Sequence, residues 1–161
     1  MLFDGGIHLV ACIRMLLSAA GEDIKHLSGF PTQLQKILPP VDTVHAVMST
    51  TGGGTGTFHV SFGAEFNQGF EMEAITTTGA VTFSPVKMKV VRRLPSGEHS
   101  EEESDVIMDS GVPAEIEAFG RGIARGNLDD RQSTAQGFDD VLVMQKMLES
   151  GKAGGALQTV A

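Results

Sequence analysis

Between residues 24 and 91 the chain repeats one pattern: short runs rich in apolar and β-branched residues at 24–34, 43–50, 55–62, 70–77, 80–83 and 86–91, parted by Gly, Pro and Asn. Runs of this length and alternation form strands. Parallel neighbours need a crossover of a dozen or more residues, and every gap here is shorter than that. Six strands on hairpin-sized connections predict a mostly antiparallel sheet.

Helical periodicity flanks the strands. Residues 7–20 carry it first, with Asp4 placed to cap the first turn, Gly5 and Gly6 to bend the chain there, and Gly21 to end it. After the strands, "VPAEIEAFGRGIARG" has Pro113 in its first turn and Ile116, Phe119, Gly120 and Ile123 on one side. "STAQGFDDVLVMQKMLESG" starts on a Ser133 cap and ends at Gly151, and its pattern predicts burial of Phe138, Val141, Leu142, the Met144–Gln145 neighbourhood and Leu148. The acidic segment "GEHSEEESDVIMDS" reads as a solvated loop with a short strand near residues 106–108, and residues 152–161 read as a fraying tail. With no internal repeat and no linker, the chain is expected to form one α+β domain over 1–161. Its architecture is a two-layer sandwich, an open antiparallel sheet with helices on one face. The uncovered face would carry residues such as His45, Thr57, His59, Ser61, Glu71, Glu73 and Ile75, and a homodimer through that face is expected.

A net charge of −8 opposes binding to nucleic acid or an anionic membrane. The most basic positions, Lys87, Lys89, Arg92 and Arg93, spread along one strand instead of forming a patch. The single Cys12 cannot close an intramolecular disulfide, which points to a reducing, cytoplasmic setting. The apolar stretch 7–17 is broken by His8 and Arg14, is too short to span a bilayer, and has neither basic leader nor cleavage site.

"STTGGGTGTF" has the glycines of a phosphate loop, but a phosphate loop leads into a helix whose N-terminal amides meet the anion. The alternating "TGTFHVSF" follows instead, so a β-hairpin is expected.

Among titratable residues, Asp4 and His8 stand four apart and share one helix face, the spacing of a proton-transfer pair. His45 and His59 lie mid-strand on either side of the glycine turn and are expected to approach each other as substrate contacts, with His26 near the same region. Two histidines without a third ligand predict no metal site. Glu71 and Glu73 read as solvated or interface carboxylates, Arg131 as a surface or capping residue, and Cys12 as a small hydrophobe with no activating neighbour.

Taken in order, "DGGIH" (4–8), "LPPVDTVHAVM" (38–48), "GTGTFHVSFGAE" (54–65), "EMEAITTTGAVTFS" (71–84) and "DDRQSTAQGFDDVLVMQKMLESG" (129–151) resemble the C-terminal domain of the Gfo/Idh/MocA oxidoreductases. The resemblance implies an open sheet whose free face pairs subunits. It also implies a preceding Rossmann domain that binds NAD(P), and a lysine of a Glu-Lys-Pro motif acting with an Asp and a His four residues apart; Asp4 and His8 match that pair. The sequence carries no Rossmann glycine fingerprint, no Glu-Lys-Pro segment, and no strand before the Asp-x-x-x-His helix. The chain is therefore expected to be a shortened member or a fragment. The leading expectation is a cofactor-independent isomerase, lyase or cyclase acting on a small organic molecule. In it His8 is the general acid or base, Asp4 orients it, and His45, His59 or His26 touch substrate. The alternatives are the substrate domain of an NAD- or NADP-dependent oxidoreductase, completed by a Rossmann domain in cis or trans, and a non-catalytic dimerising module.

Overall fold

The computed structural model describes residues 2–66, 69–106 and 111–161. Its elements in chain order are α1 (Leu2–Ala19), β1 (Ile24–Thr32), β2 (Thr43–Thr50), β3 (Thr55–Ser61), β4 (Met72–Ile75), β5 (Gly79–Phe83), β6 (Lys87–Arg93), β7 (His99–Asp105), α2 (Val112–Arg125), α3 (Thr134–Lys152) and β8 (Gln158–Thr159). A 3-10 turn, Asp130–Gln132, precedes α3. This is an α+β fold with every strand pair antiparallel. The strands do not form one ladder: they form two four-stranded sheets, ordered β3-β2-β1-β8 and β4-β5-β6-β7. Contacts group the chain into two compact units, Met1–Glu65 with Asp129–Ala161, and Phe66–Leu128.

The first unit holds the core. Alternation in β2 turns Val44, Ala46 and Met48 inward, and β3 adds Phe58 and Val60 on the same face. Against them pack Ile24 and Leu27 of β1, Val10 of α1, and Val143, Met144 and Met147 of α3. Burial of each such side chain stabilises by about 1.5–3 kcal/mol, which makes this cluster the main support of the fold.

Helix α1 starts at Leu2, earlier than the glycines implied, so Asp4, Gly5 and Gly6 lie inside it and Asp4 is not its cap. The glycines serve packing: a Cβ at Gly5 would run into the Phe62 ring, and one at Gly6 would sit 3.1 Å from Met144 Cε. Helix α1 buries every fourth residue, Leu2, Gly6, Val10 and Arg14. By length and composition it could cross a membrane. Its inward face is instead occupied by core side chains and by the ion pairs of Arg14, as in the core helix of a folded domain.

The stripe that α3 buries is Asp140, Val143, Met144, Met147 and Ser150, while Phe138 is 69% exposed and Val141 points outward. The expected stripe is thus rotated. The true one begins and ends in polar residues, each with a partner: Asp140 meets Arg14, and Ser150 Oγ accepts the Gly29 amide at 2.9 Å. The Ser150 hydroxyl donates in turn to Ala156 O at 2.7 Å. That bond helps return the chain after α3 to the sheet, where β8 pairs with β1 and the Val160 amide donates to Lys25 O. The C-terminal residues expected to fray are therefore docked, because backbone pairing outweighs their weak side-chain pattern.

Between β1 and β2, residues 33–42 are held by Asp42, which is fully buried. Its carboxylate accepts the amides of Leu34 and Gln35 and the Thr43 hydroxyl. Burial pushes this carboxyl up, but the three donors outweigh it and leave it below its ordinary 3.8. A depressed folded value stabilises above the ordinary value, and that stability is lost as pH falls through it. We expect Asp42→Asn to lower the thermal midpoint at pH 7 by about 5 °C. In circular-dichroism melts the gap between variant and parent should close below pH 3.8.

In the second unit β7 lies within the acidic segment, earlier than the strand expected near 106–108; Ile107 and Met108 fall outside the described residues. Cross-strand ion pairs join β7 to β6: Lys87 meets Glu103 at 2.7 Å and Asp105 at 3.0 Å, and Lys89 meets Glu101 at 2.8 Å. The lysines of the most basic stretch are thus spent on the neighbouring strand. Pro113 sits in the first turn of α2 and Gly126 closes it in the left-handed conformation. Among the described residues of this unit Gly122 alone is buried, and Ile116, Phe119 and Ile123 of α2 are exposed.

Candidate active site

Because α1 buries Leu2, Gly6, Val10 and Arg14, the positions two further along each turn, Asp4 and His8, face outward together. Among the described residues neither has a hydrogen-bond partner, so both side chains remain available to an incoming group. Near them in sequence, Leu2 and Phe3 line a cleft of about 70 Å³ with Pro39, Pro40, Val41 and Leu148. It is apolar and includes neither Asp4 nor His8.

The helix carrying the pair is rigidly placed. Arg14, 8% exposed, reaches Asp140 at 2.6 Å, Asp139 at 3.1 Å, Gln136 O at 3.2 Å and Asp23 at 3.6 Å, tying α1 to α3 and to the approach to β1. Cys12 sits one turn along α1 from His8, half-buried; burial first, and Asp140 second, push its thiol up, away from a reactive thiolate.

On the sheet, His45 and His59 are direct cross-strand partners with rings stacked at 6.0 Å and 13° between planes. Both are exposed. His26 pairs with Ser49 and so lies on the same outward face, its Nδ1 3.4 Å from Thr159 Oγ1. The structure does not bring these histidines to His8: strand alternation turns them away from the face that carries Val44, Ala46 and Met48 and receives the helices. A single pocket built within one chain from His8 and the strand histidines is therefore not formed.

Glu71 precedes β4 and Glu73 lies in it, both exposed. Arg131 is an exposed residue of the 3-10 turn that binds Asp129 through Nε at 2.9 Å and Nη2 at 2.6 Å and holds that carboxyl down at about 2; the cap is Asp129, which accepts the Arg131 amide. Arg93, noted only for its charge, and His99, absent from the candidates, stand opposite each other on β6 and β7 at the edge of a cleft of about 180 Å³ shared with Thr77 and Thr78. The "LPSGE" turn between them is the signal that pairs them.

A dinucleotide seat needs a strand, a glycine-rich turn and a helix N-terminus in a parallel βαβ unit. Among the described residues all strands pair antiparallel, and Gly52–Gly54 joins β2 to β3, with Gly53 at φ 90° in the tight turn. Gly52–Gly54 is therefore a hairpin turn and not a Rossmann phosphate loop.

The profile described as the GFO/IDH/MocA C-terminal domain matches residues 1–82, and the chain belongs to the Gfo/Idh/MocA family. It is 37% identical over 159 residues to the dehydrogenase FPY6 of Fusarium mangiferae, covering 99% of this chain and 46% of that protein. An oxidoreductase from Thermotoga maritima matches with a TM-score of 0.77 at 24% identity, over 99% of this chain and 44% of its own. An oxidoreductase from Agrobacterium radiobacter, in complex with NAD+, L-tartaric acid and magnesium, matches with a TM-score of 0.79 at 16% identity, over 99% of this chain and 49% of its own. The chain spans about half the length of these relatives.

Proposed function

We propose that this chain is the substrate-side domain of a dehydrogenase-type oxidoreductase. In it His8 gives or takes the proton at a substrate hydroxyl or carbonyl oxygen, and Asp4, one turn away on the same exposed face, supplies a second polar group to the same substrate. The observation that supports this reading is the exposed pair Asp4–His8 on one face of α1, in a chain 37% identical to a dehydrogenase of which it spans 46%. An open acid–base pair needs a second surface to position substrate and exclude water. A nicotinamide-binding domain in the same polypeptide or in another chain supplies it. We further propose a cytoplasmic homodimer joined through the outward face of the first sheet, where Phe30 and Val47 are 57% and 54% exposed beside His45.

Native mass spectrometry of the purified chain with NADH and NADPH reads nucleotide binding and stoichiometry together; the expected species is a dimer that binds neither. Turnover of a panel of small hydroxy acids, polyols and their keto forms is then followed with NAD(P) after adding the remaining portion of the Fusarium dehydrogenase. His8→Asn should lower kcat about 100-fold, with unchanged far-UV dichroism. Turnover by the chain alone, without nucleotide and abolished by His8→Asn, would replace this reading with the cofactor-independent isomerase, lyase or cyclase. Full activity in His8→Asn would remove the pair from the chemistry and leave a dimerising module.

A further inference from the structure

The missing third ligand argued against a metal in the sequence, but the direct cross-strand stack of His45 and His59 changes that expectation: we infer that the pair forms a two-imidazole site for a borderline divalent transition metal, binding Cu²⁺ more tightly than Zn²⁺. The ligands are preorganised by the backbone: β2 and β3 run in continuous register from Thr43↔Ser61 to Ser49↔Thr55, with His45↔His59 near the middle. On one side the Thr43 and Ser61 hydroxyls bond each other at 2.7 Å, and on the other stand Val47 and Thr57, so both neighbouring rows are paired across the same strands.

The rings lie 6.0 Å apart and 13° from parallel. Metal–nitrogen bonds of about 2.0–2.1 Å require the two donor nitrogens to come within roughly 4 Å. Rings rooted on facing strands reach that separation by leaning together about χ1 and χ2, and their exposure leaves the space to do so. Phe30, opposite His45 on β1, bounds the site on one flank.

The donor set selects the ion. Two imidazoles with no carboxylate or thiolate suit Cu²⁺, Zn²⁺ and Ni²⁺, not Ca²⁺ or Mg²⁺, and the order of stability among them puts Cu²⁺ first. No third His, Cys, Asp or Glu converges on them among the described residues. The remaining positions therefore fall to solvent, or to the same pair of a second chain where two open faces meet. The net charge of −8 favours approach of a cation.

Calorimetric titration of the untagged chain with Cu²⁺ and Zn²⁺ tests this directly. We expect one metal per chain, or one per two chains where the faces pair. Affinity should fall about tenfold or more in His45→Asn and in His59→Asn, be unaffected in His26→Asn, and be insensitive to excess Mg²⁺. Electron paramagnetic resonance of the Cu²⁺ form should show nitrogen coupling that is lost in the double variant. Unchanged Cu²⁺ affinity in the double variant, or binding of Cu²⁺ by the parent no tighter than millimolar, overturns the assignment.

Discussion

Gly29→Ala is expected to cost about 3 kcal/mol of stability, the upper end for overpacking, because the obstruction is backbone. A Cβ at Gly29 would stand 2.6 Å from Met147 O and 3.0 Å from Met147 Cα, so no rotamer change relieves it and α3 must move off β1. That movement would also break the bond from the Gly29 amide to Ser150 Oγ and disturb the link from Ser150 to Ala156. Gly56→Ala on β3 is the control. Its Cβ would meet Met48 Cγ at an ordinary 3.6 Å, and the loss of unfolded-chain freedom favours alanine, so its stability should stay within about 1 kcal/mol of the parent or rise. Denaturant unfolding followed by far-UV dichroism distinguishes the two. Equal effects at both positions would mean that α3 does not lie as close to β1 as described.

Arg14→Met is expected to cost about 3 kcal/mol, the lower end for breaking a buried pair. Asp140, 9% exposed, would be left without its cation, while Asp139 and Asp23 are solvated enough to tolerate the loss. In the parent, burial works against the Arg14 cation, but Asp140 first, with Asp23 and Asp139, outweighs it and raises the guanidinium above its ordinary value. Removing both partners in Arg14→Met with Asp140→Leu should recover most of the loss, since the penalty lies in the orphaned carboxylate. A double variant no more stable than the single one would show that Asp140 is not the residue that suffers.

Much of this was legible in the chain. The glycine-rich segment read as a hairpin because an alternating strand, not a helix, follows it, and β2 and β3 pair across it in that way. His45 and His59 were placed together by counting from the same turn, and they stack. Asp4 and His8 share a helix face by spacing alone, but that this face turns outward follows only from the packing of α1. Where the reading failed, a long-range partner had changed the meaning of a residue. Gly5 and Gly6 looked like a bend and are clearances for Phe62 and Met144. The stripe of α3 looked two residues out of place because Asp140 and Ser150 belong to it, and a polar residue counts as core only when its partner, Arg14 or the Gly29 amide, is known.

The sequence by itself determined the α+β class, the antiparallel pairing and the candidate residues, since each follows from local periodicity, turn chemistry and short spacings. Only the tertiary structure decided that the strands divide into two sheets, that the C-terminal residues return as β8, and that His8 and the strand histidines belong to opposite faces of the first unit. Those outcomes rest on contacts between residues far apart in the chain, on backbone approaches of a few ångströms and on the pairing of buried charges, which a one-dimensional pattern does not record.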